Sequence, residues 1–307
     1  LKRTQIRPTD TLEKERLIQS GEKHYSQMIG QENPPTERHL QLFEQAMQYG
    51  QQRLAKEVQQ LAQTLSAELA EPIILVSFVR AGVPLGVLLY HALQDLGHDC
   101  VHYGISIIRD RGVDFAALET IIAKHGHQSL VFVDGWTGKG AIQKELQRSL
   151  ADDPRFIDRP LPLVVLSDIG GCAWLAASGE DWLIPSGVLG STISGLISRS
   201  ICENEALQFN EIEESNLGQW HGCIEYKHLS TFDMSQSFIE QINQIRRELQ
   251  SEKNAVWTSA QQQLQRQRSQ AVVKQLAEHY QITNINRIKP SIAEATRAIL
   301  RRVPDLV

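Results

Sequence analysis

The stretch that most limits what this chain can fold into is Leu130-Val131-Phe132-Val133-Asp134-Gly135-Trp136-Thr137-Gly138-Lys139-Gly140-Ala141-Ile142. An apolar run stops at an acid. A short loop with three glycines and a lysine follows, and Ala141, Ile142, Leu146 and Leu150 then fall near one helical face. The pattern predicts a strand, an anion-sized loop and a helix. Open α/β sheets bind ligands at the carboxyl ends of their strands. A helix start offers unpaired N–H groups and a positive dipole end to a phosphate, and glycines let the backbone come close to it. Asp134 is placed to hold ribose hydroxyls or a Mg2+ that bridges phosphates. Lys139 is placed to add a point charge. This is not a Walker A loop, because it is too short and Gly140 follows the lysine. Alone, the pattern also fits a plain tight βα connection, so the neighbouring segments have to decide.

Those neighbours repeat the pattern. Residues 73–79 form a continuous apolar run, as suits a buried parallel strand. Arg80-Ala81-Gly82-Val83-Pro84 follows, with Pro84 fitting the first turn of a helix that runs to Gly97. Arg80, beside a helix start, is an anion ligand or a salt-bridged surface arginine. A third strand at residues 103–108 runs into Arg109-Asp110-Arg111-Gly112, ahead of a helix stripe of Phe115, Leu118, Ile121 and Ile122. A fifth strand at residues 163–168 ends in Asp168 and is followed by Ile169-Gly170-Gly171-Cys172. Strands alternating with helices predict an α/β fold, a mostly parallel sheet with helices on both faces. Loops at one edge of such a sheet converge on one ligand.

The flanks are helical. The chain reads as an arm and long helix (1–70), an α/β core (71–230) and C-terminal helices (231–307). A polar helix is expected at 11–19. The cluster at residues 21–28 reads as a surface segment packing Tyr25 and Met28, rather than an arm reaching over a site. Pro34-Pro35-Thr36 starts a long amphipathic helix with Leu40, Phe43, Met47, Leu54, Val58, Leu61 and Leu65 on its core stripe. A short helix is expected at 174–178, a short strand or turn at 181–186, and helical spacing at Ile193, Ile197 and Ile201. Further expectations are a hairpin around Trp220, His221 and Cys223, helices at 233–249 and 256–280, and a basic helix from Ser291 through Arg302.

With 41% hydrophobic and 22% charged residues, the 307-residue chain has the composition of a globular protein. Its net charge of −5 argues against a broadly basic nucleic-acid surface. No apolar run approaches the ~20 residues needed to cross a bilayer, and no signal-peptide core is seen. A cytoplasmic protein with no membrane partner is expected. None of the cysteines Cys100, Cys172, Cys202 and Cys223 forms a C-x-x-C pair, so they are expected to be thiols. Cys172, after two glycines, is the best-placed nucleophile for a hydrolase, with Cys223 beside His221 second. Small buried thiols are the ordinary alternative.

Together the three loops resemble a type I phosphoribosyltransferase. Val131-Phe132-Val133-Asp134 and Thr137-Gly138-Lys139-Gly140 match the motif that binds phosphoribosyl diphosphate (PRPP), although Gly135 stands where that motif has a second acid. Residues 77–82 resemble its pyrophosphate loop, and residues 109–112 take the place of its flexible loop. More narrowly, the chain resembles the phosphoribosyltransferase-like proteins of bacterial tellurium-resistance (ter) stress operons, a family also labelled cysteine protease StiP. The matches are His24-Tyr25-Ser26, residues 78–82, 108–112, 133–140 and 183–186, and Ser194-Gly195-Leu196-Ile197-Ser198-Arg199.

The resemblance implies PRPP with Mg2+ as ligand and a base-like acceptor. Asp134 would hold ribose and metal. Gly135, Trp136, Thr137, Gly138, Lys139 and Gly140 would cradle the 5′-phosphate. Arg80, Ala81 and Gly82 would hold pyrophosphate, and Arg109 or Arg111 would close over it. The acceptor would rest near Trp174 or Trp182, with Asp168 and Cys172 in the substrate site. Rival readings are a cysteine hydrolase using Cys172 and a non-catalytic nucleotide or RNA-linked regulator. Residues 288–297 resemble the lead-in to a Pelota-type RNA-binding module, itself expected to be absent from a chain ending at Val307. By analogy a homodimer is implied.

Overall fold

Apolar runs that are buried along their whole length form the centre of the molecule. The computed structural model describes residues 2–4, 6–157, 160–202, 220–249, 257 and 259–299. In chain order the elements are β1 (Lys2–Arg3), α1 (Thr11–Gln19), α2 (Glu37–Glu68), β2 (Ile73–Phe78), α3 (Val83–Asp95), β3 (Cys100–Ile105), β4 (Ile107–Ile108), β5 (Gly112–Val113) and α4 (Phe115–His125). They continue with β6 (Leu130–Val133), β7 (Trp136–Thr137), α5 (Ala141–Ser149), β8 (Leu163–Asp168), β9 (Leu175–Ser178), β10 (Gly222–Cys223), α6 (Ser235–Glu248), α7 (Ser259–His279) and α8 (Ile292–Ile299).

The main sheet has the order β3-β2-β6-β8, with β7 and β9 also paired to β8, and every pairing is parallel. All residues of β2, β6 and β8 are buried, which is why these runs are apolar without alternation. Successive side chains still go to opposite faces. Leu75, Val131, Val133 and Val164 pack with α2, α3 and α6; Ile74, Val76, Phe132 and Val165 pack with α4 and α5. The fold is therefore α/β, a mostly parallel sheet with helices on both faces. Among the described residues no helix is long and apolar enough to cross a membrane.

Local pattern misleads in four places. Residues 175–178 are a strand, not a helix, because the outer edge of β8 takes them as a parallel partner from Val164 to Ser167. Residues 191–193 make a single 3-10 turn. Leu196 then has a left-handed φ of 58°, and Ile197 and Ile201 form bridges to Glu225 and Gly222, so their helical spacing is incidental. The third strand breaks after Ile105, and β4 turns back on β5 as a hairpin with Asp110 at a φ of 66°. Finally, β10 pairs in parallel with β1, at Lys2↔Gly222 and Arg3↔Cys223, rather than forming the expected hairpin. Between 181 and 186 the expected strand or turn is a 3-10 turn beginning at Pro185. Val256, Arg301, Arg302 and residues 203–219 lie outside the described residues.

Candidate functional site

The strand that carries Asp134 is longer than its apolar run. β6 and β7 pair with β8 in one continuous register, Val133↔Val164 and Trp136↔Ser167. The Asp134 N–H donates to the Val164 carbonyl (3.0 Å), and the Leu166 N–H to that of Gly135 (3.1 Å). Toward β2, pairing stops at Ser77↔Val133. Asp134 therefore sits where one neighbouring strand leaves and the other continues. The loop expected from Gly135 onward begins only at Gly138, and Trp136 and Thr137 are strand. Gly140 starts α5 with a φ of 77°, a conformation that favours glycine, and a Cβ there would stand 3.1 Å from Cys172 Sγ. No hydrogen bond among the described residues takes the N–H of Gly138, Lys139, Gly140 or Ala141. These amides form an anion cradle.

The cradle opens on a cavity of about 350 Å³ whose wall includes Arg80, Ala81, Asp134, Trp136, Arg199 and Arg297. Asp134 is 8% exposed, and one of its oxygens accepts the Gly135 N–H at 2.8 Å. Burial pushes its carboxyl up to about 6, against the pull of that bond and of Arg297. Arg80 is 6% exposed; it pairs with Glu32 and donates to the Ile197 carbonyl at 3.1 Å, while its Nε has no partner among the described residues. Burial would raise Glu32, but Arg80 and the Ser191 N–H outweigh it and hold the carboxyl at about 2. Arg297 stacks 4.8 Å over Trp136, and burial pushes its pKa down to about 10.

Other predicted site residues are engaged elsewhere. Gly82 gives its N–H to the Phe78 carbonyl at 2.9 Å, and a Cβ there would collide with the Val133 carbonyl. Its role is close helix–strand packing, which leaves Ala81 and Arg80 facing the cavity. Lys139 donates to the Ile288 carbonyl (2.9 Å) and pairs with Glu294 (3.6 Å), so it is not a free point charge at the loop. Arg109 and Arg111 are not among the described residues lining the cavity. The Arg109 N–H donates to the Tyr25 hydroxyl (2.8 Å), and the Arg109 and Arg199 guanidinium groups stack on the Tyr25 ring at 5.3 and 5.2 Å. Arg111 is exposed on the hairpin.

Asp168 is fully buried and accepts from Thr137 Oγ1 (2.6 Å), Cys172 N (2.9 Å), Ala173 N (3.1 Å) and Trp257 Nε1 (3.4 Å). It ties the end of β7 to the turn that follows β8, and its oxygens are taken by these donors. Burial and Asp168 push the Cys172 thiol up to about 12, and the other groups acting on it are Thr137, Arg266 and Lys144, with no imidazole among them. His221 turns its Nδ1 to Ser106 Oγ (2.6 Å). Trp182 lies beneath Arg53 (4.7 Å) and against Gly50, and Trp174 packs on the core, so neither is an open platform for a base.

The sequence signals miss Glu32, Arg199, Glu294 and Arg297 as site residues. Tyr25, in the cluster at residues 21–28, packs against Arg109 and Arg199, and Arg199 lines the cavity. Met28 is buried as expected.

Fold and site together define an α/β protein with a glycine-rich turn and a cavity at the carboxyl edge of its parallel sheet. The chain belongs to the StiP family: the family model, described as tellurite-like stress resistance cysteine protease StiP, matches residues 1–243. A relative named cysteine protease StiP, from Acinetobacter baylyi, is 78% identical over all 307 residues, which span 80% of that protein. A model described as PELOTA RNA binding domain matches residues 267–307, so residues 288–297 lie inside that match rather than ahead of it. Among solved structures, a hypoxanthine phosphoribosyltransferase from Trypanosoma cruzi complexed with the product IMP is 14% identical, with a TM-score of 0.30 over 42% of this chain and 68% of its own. A second structure of that enzyme is 14% identical, with a TM-score of 0.28 over 44% and 77%. Likeness at this level carries no argument; the fold class rests on the sheet described above.

Proposed function

We propose that this chain is a cytoplasmic stress-resistance enzyme that binds PRPP at residues 134–141 and transfers its phosphoribosyl group to a base-like acceptor. The observation that carries this reading is the set of unengaged N–H groups at residues 138–141, opening on the same cavity as buried Asp134 and Arg80. The 5′-phosphate takes these amides, each bond to the anion contributing about 1.5–3 kcal/mol. Asp134, ionised above about pH 6, accepts from the ribose hydroxyls. Arg80, steadied by Glu32, faces the pyrophosphate. The acceptor nitrogen attacks C1′ as the C1′–O bond breaks; the bonding pair leaves with pyrophosphate, and the acceptor's proton passes to water. Arg109, tethered through Tyr25, offsets the growing charge when its hairpin closes. Among the described residues no group of three or more His, Cys, Asp or Glu could hold a metal alone. Asp134 is the residue that would hold a Mg2+ arriving with the ligand phosphates, and that ion would supply charge neutralisation of the diphosphate.

Calorimetric titration of PRPP with Mg2+ into the parent protein and Asp134→Asn tests this reading. Micromolar binding weakened tenfold or more by the variant (about 1.4 kcal/mol) supports it. Absence of binding to folded parent protein overturns it.

The second reading, hydrolysis by a cysteine, has the family's description and the relative's name on its side, and they support it more directly than they support transfer. Its chemistry needs a thiolate and a base, and at Cys172 the surroundings favour the neutral thiol. Peptide hydrolysis by the parent that is lost in Cys172→Ala would establish it. A homodimer and an RNA contact through residues 267–307 are further proposals, the latter supported by the module match. PRPP binding without turnover would favour a regulator.

A further inference from the structure

The far end of the chain returns to the cradle. Glu294 of α8 lies on the turn, with both carboxylate oxygens 2.7 Å from where a Cβ on Gly138 would stand. One of those oxygens is 3.6 Å from Lys139 Nζ. One helical turn later, Arg297 stacks on Trp136. The helix is seated firmly. Ala293 is buried in the core cluster that includes Trp136, the Ile292 N–H donates to both Asp181 oxygens (3.0 and 3.1 Å), and Lys139 holds the Ile288 carbonyl.

The fit of the carboxylate is incomplete. Among the described residues, the Glu294 oxygen nearest Lys139 is buried without a hydrogen bond and the cradle amides have no acceptor. A phosphate has the oxygens to take those amides, but its position over Gly138 is the one that the carboxylate holds. Two anions so close repel each other in a buried site. Lys139 faces Glu294 and Arg297 faces Asp134 while α8 is docked, so part of the positive charge that would meet a phosphate is already paired.

We propose that α8 is a built-in competitor for the anionic ligand: Glu294 occupies the phosphate position, and docking of α8 and binding of a sugar phosphate exclude each other. The proposal rests on the reading of residues 138–141 as a phosphate cradle. By linkage, whatever holds α8 off the turn tightens ligand binding, and bound ligand loosens α8 by the same factor.

The test uses ribose 5-phosphate and the full chain. Calorimetry of the parent, Glu294→Ala and Glu294→Gln is combined with hydrogen–deuterium exchange across residues 292–299. At least fivefold tighter binding by Glu294→Ala, a smaller gain by Glu294→Gln, and faster exchange of α8 in the ligand-saturated parent are expected. Equal affinities with unchanged exchange overturn the competition and leave the cradle standing. If none of the folded proteins binds, the cradle reading falls and the competition falls with it.

Discussion

At the scale of single residues, Asp134 has the sharpest consequences. Its folded pKa of about 6 lies above the ordinary carboxylate value, so burial favours the protonated form. The stability it contributes is complete below about pH 4, is lost as pH rises through about 6, and is absent above; two units correspond to about 3 kcal/mol. Asp134→Asn should therefore melt at a higher temperature than the parent at pH 8 and lose that advantage near pH 4, as scanning calorimetry would show. A gain in stability alongside a loss of ligand binding would mark a carboxylate kept for function. Gly82→Ala should lose about 3 kcal/mol or more in denaturant titration, because the added methyl meets the backbone of β6 rather than a movable side chain. With its thiol pushed to about 12, Cys172 should alkylate at pH 8 at least about a hundredfold more slowly than a free thiol. Labelling followed by mass spectrometry measures this, and a fast Cys172 would favour the hydrolase reading over transfer.

Between elements, the decisive contact is that of the N-terminal segment with the β4–β5 hairpin. Tyr25 accepts from the Arg109 N–H and lies against the guanidinium groups of Arg109 and Arg199, so one side chain aligns the hairpin and the wall of the cavity. Tyr25→Ala should speed hydrogen exchange at residues 107–113 and weaken PRPP binding. Tyr25→Phe, which keeps the ring and loses one hydrogen bond of about 1 kcal/mol, should fall between. Legibility at this scale follows element length. The long stripe from Leu40 to Leu65 and the buried runs of β2, β6 and β8 declare themselves, because many residues repeat one environment. The four residues of β9 do not, because pairing with β8 rather than their own pattern makes them a strand.

Across the whole molecule, both ends of the chain bring acids to one site. Glu32 ties the N-terminal segment to Arg80, and Glu294 ties the C-terminal helix to Lys139. Glu32 is held at about 2, below its ordinary value. The stability it contributes is present above about pH 4.5 and is lost as pH falls toward 2. Hydrogen exchange at residues 24–33 should therefore accelerate between pH 4 and pH 2 before the sheet opens, and Glu32→Gln should show fast exchange there already at pH 6. If the parent kept the segment protected to pH 2, the ion pair would not be what holds it.

Sequence by itself determined the parallel sheet, the helices on its two faces and a glycine-rich turn ahead of α5, though not the two strand residues of β7 inside the expected loop. These follow from local periodicity, from runs buried on both faces, and from backbone positions such as Gly140 that favour glycine. Tertiary structure decided the rest of the site: that Asp168 is consumed by four donors, that Lys139 points to Ile288 and Glu294, and that Glu32, Arg199, Glu294 and Arg297 gather around Asp134 and Arg80. The physical reason is range. A residue's burial and backbone conformation leave a mark within a few positions of it. The partner of a charge is set by where a distant segment returns, 48 residues away for Glu32 and Arg80 and more than a hundred for Lys139 and Glu294, and no local pattern carries that.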